Sequence, residues 1–340
     1  MSDNTEGPRR KRPREETSPP ALSAQTQHSD SEGLTRDTSF WFPDGNIVLV
    51  AQEDAFRVHQ SVLSRGSTFF REMFGVPQPL DSEKLDGSYV IRLADRSDDV
   101  RCLLRVLYDG GSMLLGPDTE VEFSTIAAVV RLGHKYELDD LKFAALGRLE
   151  RCFPTEYVNW DFTSNRAKSC GVVIKPADAI VAVNLARLTN TLSILPVALY
   201  QCCWLSTEDL LQGGMDSIDK LSTDDLRRCI NAKALIALST SGIIATISRK
   251  RPYTCSCEAV VRRVVEHLAN DHEACLDPSQ VQWPNRSIKY IERHCCPACR
   301  AEVQSKRMQQ AKITWSRLPK LMDLNAPAWK DELAQIPVPS

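Results

Sequence analysis

Apolar residues along the chain fall into two rhythms, and their order predicts the elements. Residues 46–52 (NIVLVAQ) form a short apolar run rich in β-branched side chains, which predicts a strand. Residues 55–59 (AFRVH) alternate apolar and polar, and pair with that strand as a hairpin across Glu53-Asp54. From 61 to 74 the spacing turns helical: Val62, Leu63, Phe69, Phe70, Met73 and Phe74 lie three, four or seven apart. Ser67 divides that segment into two short helices and caps the second. Pro77, Pro79 and Gly87 mark a loop before a further strand at 89–93 (YVIRL). Ser97, followed by Asp98 and Asp99, opens a helix to residue 107 with Val100, Leu103, Leu104 and Leu107 inward. Two more helices are expected at 124–134 and 138–152, the second opened by Asp139 and Asp140.

Downstream the rhythm stays helical. Helices are predicted at 177–189, 192–205, 206–211, 224–240 and 258–269, with Thr207-Glu208-Asp209 and Thr223-Asp224-Asp225 as N-terminal signals. Residues 188–207 carry no charge, yet Asn190, Gln201, Pro196 and several hydroxyls make them too polar for a membrane span. A buried helix pair, bent or split at Pro196, is the expectation. By contrast the first 36 or so residues are Ser, Thr, Pro, Gln and charge. They cannot bury enough apolar surface to offset ordering, so a disordered tail is expected.

The string FRVHQSVLSRGSTFFREMF, beginning at Phe56, resembles the signature of BTB (POZ) domains: strand, His, helical hairpin, then Phe-Phe and Met-Phe. YVIRLADRSDDVRCLLRVLYDG resembles that fold's third strand and next helix, and IAAVVRLGHKYELDDLKFAALGRLE its last two helices. The flanking FWFPDGNIVLV and WSRLPKLMDLNAPAWKDEL are similar to a large fungal group of single-BTB proteins with a helical C-terminal half. The resemblance implies an α+β BTB fold, a small mixed sheet with about five helices, followed by a mainly α-helical region. The expected organisation is a tail at 1–39, a BTB domain at 40–153, a helical extension at 154–248 and a basic, Cys/His-containing helical region at 249–340. His59, Phe69, Phe70, Met73 and Phe74 are the structural motif residues that it implies. In such proteins the matching His is buried and hydrogen-bonded at the strand-to-helix turn. Phe69, Phe70, Met73 and Phe74 share one helical face and are expected in the core, with Met73 and Phe74 partly exposed near a partner surface.

BTB domains self-associate or dock on other proteins through sheet edges and helix faces. The resemblance thus implies an adaptor or scaffold, as a homodimer. Some BTB proteins present substrates to cullin-type ubiquitin ligases through a short hydrophobic-x-Glu element after the Met-Phe pair. Here the corresponding loop, GVPQPLDSEKLDG, is longer and broken by prolines, and offers only Glu83. A cullin scaffold is therefore a weaker partner expectation than a second copy of the chain.

Charge and cysteine change this picture in two places. The net charge is only −2, but residues 40–153 carry a net −5 and residues 249–320 a net +7. Arg9, Arg10, Lys11, Arg12 and Arg14 form a basic run in the tail, which reads as a nuclear import signal and favours the nucleus over the cytoplasm. Half of the twelve cysteines fall between 255 and 299, with His267, His272 and His294 among them. Twelve thiols in 340 residues are too sparse for a disulfide scaffold, so a reducing compartment is expected. Cys296 and Cys299 have the spacing of a zinc knuckle, in which one tight turn supplies two thiolates. The second pair is either Cys255 with Cys257 or His272 with Cys275, and both stay open. Four such ligands leave no coordination position for water, so the zinc would be structural. A zinc-stabilised basic region supports an alternative function, a nuclear DNA-binding regulator. His59 has no carboxylate or nucleophile at motif spacing, and no nucleophile elbow, phosphate loop or metalloprotease helix is present. The expectation is a non-enzymatic interaction protein with neither cofactor nor membrane contact.

Overall fold

The computed structural model describes Met1 and residues 33–77, 79, 81–110, 116, 120–157, 170–213, 219–248, 255–270, 285–326 and 329. The basic run at residues 9–14, His272 and Cys275 lie outside the described residues.

A five-stranded sheet forms from β1 (Thr35–Trp41), β2 (Ile47–Ala51), β3 (Asp54–Val58), β4 (Lys84–Leu85) and β5 (Ser88–Leu93), in the order β1-β3-β2-β5-β4. β2 is its centre. It pairs antiparallel with β3 from Ile47↔Val58 to Ala51↔Asp54, and parallel with β5 from Ile47↔Tyr89 to Ala51↔Leu93. With partners on both edges and both faces covered, all five of its residues are buried, which is why it reads as a continuous apolar run. Ile47, Leu49 and Ala51 face the helices, whereas Val48 and Val50 pack with Ala55, Trp41 and Leu34 on the opposite side.

The helical hairpin is α1 (Gln60–Gly66) and α2 (Thr68–Gly75). Ser67 joins them: its buried Oγ accepts from the Phe70 backbone N–H at 3.0 Å and donates to the Tyr136 carbonyl at 2.5 Å. One hydroxyl thus caps α2 and fastens it to the end of a distant helix. Next come α3 (Ser97–Tyr108), α4 (Phe123–Lys135) and α5 (Asp139–Cys152). α3 takes its cap at Arg96, with no side-chain bond, rather than at Ser97. Its inner face includes Val106 in addition to Val100, Leu103 and Leu104, while Leu107 is only partly buried.

Two sheet features were not legible in the hydrophobic pattern. β1 begins at Thr35, inside the segment expected to be tail, and runs parallel to β3. Short strands β6 (Val121–Glu122) and β7 (Val172–Val173) pair in parallel and tie α4 to the chain beyond α5.

The C-terminal half contains α6 (Asp178–Leu188), α7 (Leu195–Cys202), α8 (Thr207–Gln212), α9 (Thr223–Ser248), α10 (Cys257–Asn270), α11 (Asn285–His294), α12 (Pro297–Ser316) and α13 (Leu318–Leu321). Pro196 neither bends nor splits a helix. It occupies the first turn of α7, where its missing N–H would have had no partner anyway. The N-terminal signals of α8 and α9 are shifted by one residue: Ser206 Oγ accepts from Asp209 N–H at 3.0 Å and Ser222 Oγ from Asp225 N–H at 3.1 Å. α9 also runs well past residue 240.

The largest core runs from Val106 on α3 through α4 to α7 and α9, and takes in Ala311, Trp315, Leu318 and Met322. The ends of α12 and α13 therefore share a core with the last two helices of the first domain. A separate small core lies among α10, α11 and the start of α12. Among the described residues no helix is long and apolar enough to cross a membrane.

Candidate functional site

His59 sits at the β3–α1 turn, half-buried, as the N-cap of α1. The Tyr108 hydroxyl accepts from the His59 backbone N–H at 2.9 Å and lies 2.9 Å from Nδ1. In the tautomer with its proton on Nε2, Nδ1 accepts from the phenol O–H. Burial raises the Tyr108 pKa and keeps this donor protonated. Nε2 lies 3.2 Å from the Asp44 carboxylate, whose pKa is lowered mainly by that hydrogen bond. The sequence spacing suggested no carboxylate partner. The β2 pairing supplies one, because it folds the loop before β2 back beside the end of β3. Phe42 packs on both rings, 5.3 Å from His59 and 4.8 Å from Tyr108. The relay locks a turn to the end of α3, which suits a structural role.

The aromatic motif divides between core and surface. Phe70 is buried, stacked on Tyr136 at 4.8 Å and on Phe74 at 5.9 Å. Met73 and Phe74 are half-buried. Phe69 is 39% exposed, although it touches Phe70 edge-on and Tyr136. Helical spacing alone placed it with the core. Val76, just beyond α2, and Phe143 on α5 are exposed as well, at 62% and 64%. Glu83 is engaged within the chain, accepting two hydrogen bonds from Arg92 at 3.0 and 2.7 Å.

β1 forms one edge of the sheet and is held by charge. Arg101 on α3 reaches Asp37 at 2.7 Å, Asp54 at 2.9 Å and Asp98 at 2.6 Å. Asp37 is nearly buried, and its other oxygen accepts from the Ser39 and Phe40 backbone N–H groups, both at 2.9 Å. Burial alone would raise the Asp37 pKa, but Arg101 and the two backbone donors together hold it below the usual carboxylate range. A depressed carboxylate stabilises the fold above its unfolded pKa of about 3.9, and that contribution disappears as pH falls through the folded value. Amide exchange across 35–41 should therefore accelerate below about pH 4 ahead of β2 and β3, as read by exchange mass spectrometry. Equal protection of β1 and β2 through that range would contradict this account.

The C-terminal cysteines form the densest group of metal-type ligands among the described residues. The Sγ atoms of Cys255, Cys257, Cys296 and Cys299 all lie within 4.8 Å of one another. Cys257 is the first residue of α10, while Cys296 caps α12 and Cys299 lies in its first turn. The Cys296 backbone N–H donates to Cys257 Sγ at 3.1 Å, and Cys255 Sγ is 3.4 Å from Cys299 Sγ. The Cys299 backbone N–H, then its thiol, pull the Cys296 pKa down to about 7, whereas burial first raises that of Cys299. Neighbouring Cys295 is in the small core, and burial pushes its pKa up to about 11. Of the two candidate pairs for Cys296 and Cys299, the structure brings Cys255 and Cys257 to them. Such a group could hold a metal ion.

Comparison with known proteins supports the first domain. A BTB/POZ domain family model matches residues 44–147. Searches of the curated proteins and of the solved structures return no match.

Proposed function

From the BTB/POZ domain at residues 44–147, we propose that this chain is a non-enzymatic adaptor that self-associates and docks a protein partner through that domain. The family match carries the reading, since BTB domains are in general modules of protein interaction. The surface supports it. β1 offers a sheet edge to which a further strand can add, and edges of this kind are a common mode of peptide recognition. Phe69, at the start of α2, and Val76, just beyond its end, present exposed apolar surface that a partner could cover. The helical C-terminal half shares a core with α4 and α5 and fits the role of an extension of the domain.

Two differently tagged full-length copies, co-expressed, test the reading. The expected result is co-purification of the second tag with the first, reduced at least tenfold by Phe69→Glu with Val76→Glu. Failure of wild-type copies to associate at any expression level would reject self-association.

We also infer that the basic run Arg9, Arg10, Lys11, Arg12 and Arg14 directs the chain to the nucleus, on the strength of five cations in six residues. A fluorescent fusion should concentrate in nuclei, and replacement of those five residues by alanine should spread it into the cytoplasm. An unchanged distribution would dismiss the signal.

A further inference from the structure

We propose that Cys255, Cys257, Cys296 and Cys299 bind one zinc(II) ion as a closed four-thiolate site that fastens the start of α10 to the start of α12. Four sulfurs converge on one point, each within 4.8 Å of every other. Zinc–thiolate bonds of about 2.3 Å in a tetrahedron place the sulfurs about 3.8 Å apart. Shifts below about 1 Å per sulfur therefore close the shell. A disulfide would join two sulfurs and leave the other pair crowded without purpose. An iron–sulfur cluster would need its cysteine ligands spread around several metal atoms.

The surroundings aim backbone donors at the sulfurs. Cys257 opens the 14-residue α10 and Cys296 caps the 20-residue α12, so two sulfurs lie at the positive ends of helices. Backbone N–H groups are aimed at sulfur from Cys296 and from Cys299. The chain geometry matches the ligand geometry: Cys-Pro-Ala-Cys is a tight turn running into a helix, and Cys-Ser-Cys meets it from across the small lobe.

The lobe also needs a fastener. Among the described residues its buried core is Val261, Val264, Val265, Ile291 and Val303 besides three cysteines, with Val260 and Tyr290 packed against it, and it is separate from the main core. A core of this size gains from a cross-link, and small lobes are commonly completed by disulfides or metals. All four coordination positions come from protein, which leaves no place for substrate or water. The site is structural, and independent of whether the BTB domain self-associates.

The test uses the full chain, purified without chelator in a phosphine reductant. Elemental analysis should give about one zinc per chain. Cys296→Ser with Cys299→Ser, and separately Cys255→Ser with Cys257→Ser, should lower it to near zero. His272→Ala with Cys275→Ser should leave it unchanged. Because a cysteine variant can lose metal simply by unfolding, a second measurement uses the wild-type chain. Metal-stripped protein titrated with cobalt(II) should develop the visible bands of tetrahedral cobalt thiolate to a one-to-one endpoint, and zinc should displace them. Absence of both zinc and cobalt bands in reduced, folded protein would overturn the site. So would iron in place of zinc, or zinc lost only with His272 and Cys275.

Discussion

Phe70→Ala is expected to destabilise the protein by about 3–5 kcal/mol, while Phe69→Ala, its neighbour in the chain, costs less than about 1 kcal/mol. Phe70 is 2% exposed, stacked between Tyr136 and Phe74 in the core beneath the sheet. Its removal opens a cavity that core neighbours such as Leu63, in α1, and Leu138, at the cap of α5, cannot fill. Phe69 keeps 39% of its surface in water at the edge of that core, so truncation removes less burial and opens no enclosed cavity. Chemical denaturation of the two variants measures the difference directly. Comparable losses would place Phe69 in the core and remove the argument for an apolar docking surface along α2. A combined reading with association is more telling: Phe69→Ala should weaken self-association although it leaves stability nearly intact.

Replacing Asp225 should be the second large effect. Its carboxylate is 2% exposed and accepts from Arg187 at 2.7 and 3.1 Å, from Arg228 at 3.2 Å and from the Ser222 hydroxyl at 3.1 Å. Three elements thereby converge on one group: the end of α6, the start of α9 and the loop that caps it. Truncating one partner of a fully buried pair costs about 3–5 kcal/mol. Here the arginines keep some contact with water, Arg187 at 38% exposure, so they can rehydrate after the loss. The expectation for Asp225→Ala is therefore about 2–3 kcal/mol. Burial opposes ionisation of Asp225, yet Arg187 and the Ser222 hydroxyl outweigh it and lower the pKa. The sign follows: the contribution is complete above an unfolded pKa of about 3.9 and vanishes as pH falls through the folded value. Wild-type thermal stability should accordingly drop more steeply below about pH 4 than that of the variant. Parallel curves would mean that the carboxylate contributes nothing through its charge.

The apolar pattern located most elements because most are defined by burial. β2 has every residue buried, β3 buries Ala55, Phe56 and Val58, and α3 carries Val100, Leu103 and Leu104 at helical spacing. β1 escaped because TRDTS is polar: an edge strand is specified by its ladder to β3 and by Arg101, a residue some 60 positions away. The two-residue pairing of β6 with β7 is too short to leave any periodicity. Pro196 misled for a related reason, since the sequence shows where the proline is but not which turn begins there. Among site residues, the spacing of Cys296 and Cys299 could be read directly, because both thiols lie in one turn. The choice of partner pair could not, because it depends on how α10 meets α12. The same limit hid Asp44 from His59, and separated Phe69 from Phe70 only once Tyr136 was in place.

Self-association through the BTB/POZ domain is the claim on which the functional account rests. Light scattering coupled to size exclusion measures it most directly, on the full reduced chain across a hundredfold range of concentration. The account predicts a mass of twice the 38.1 kDa of one chain, falling toward the single-chain mass for Phe69→Glu with Val76→Glu. A wild-type chain that stays at the single-chain mass over the whole range would contradict it.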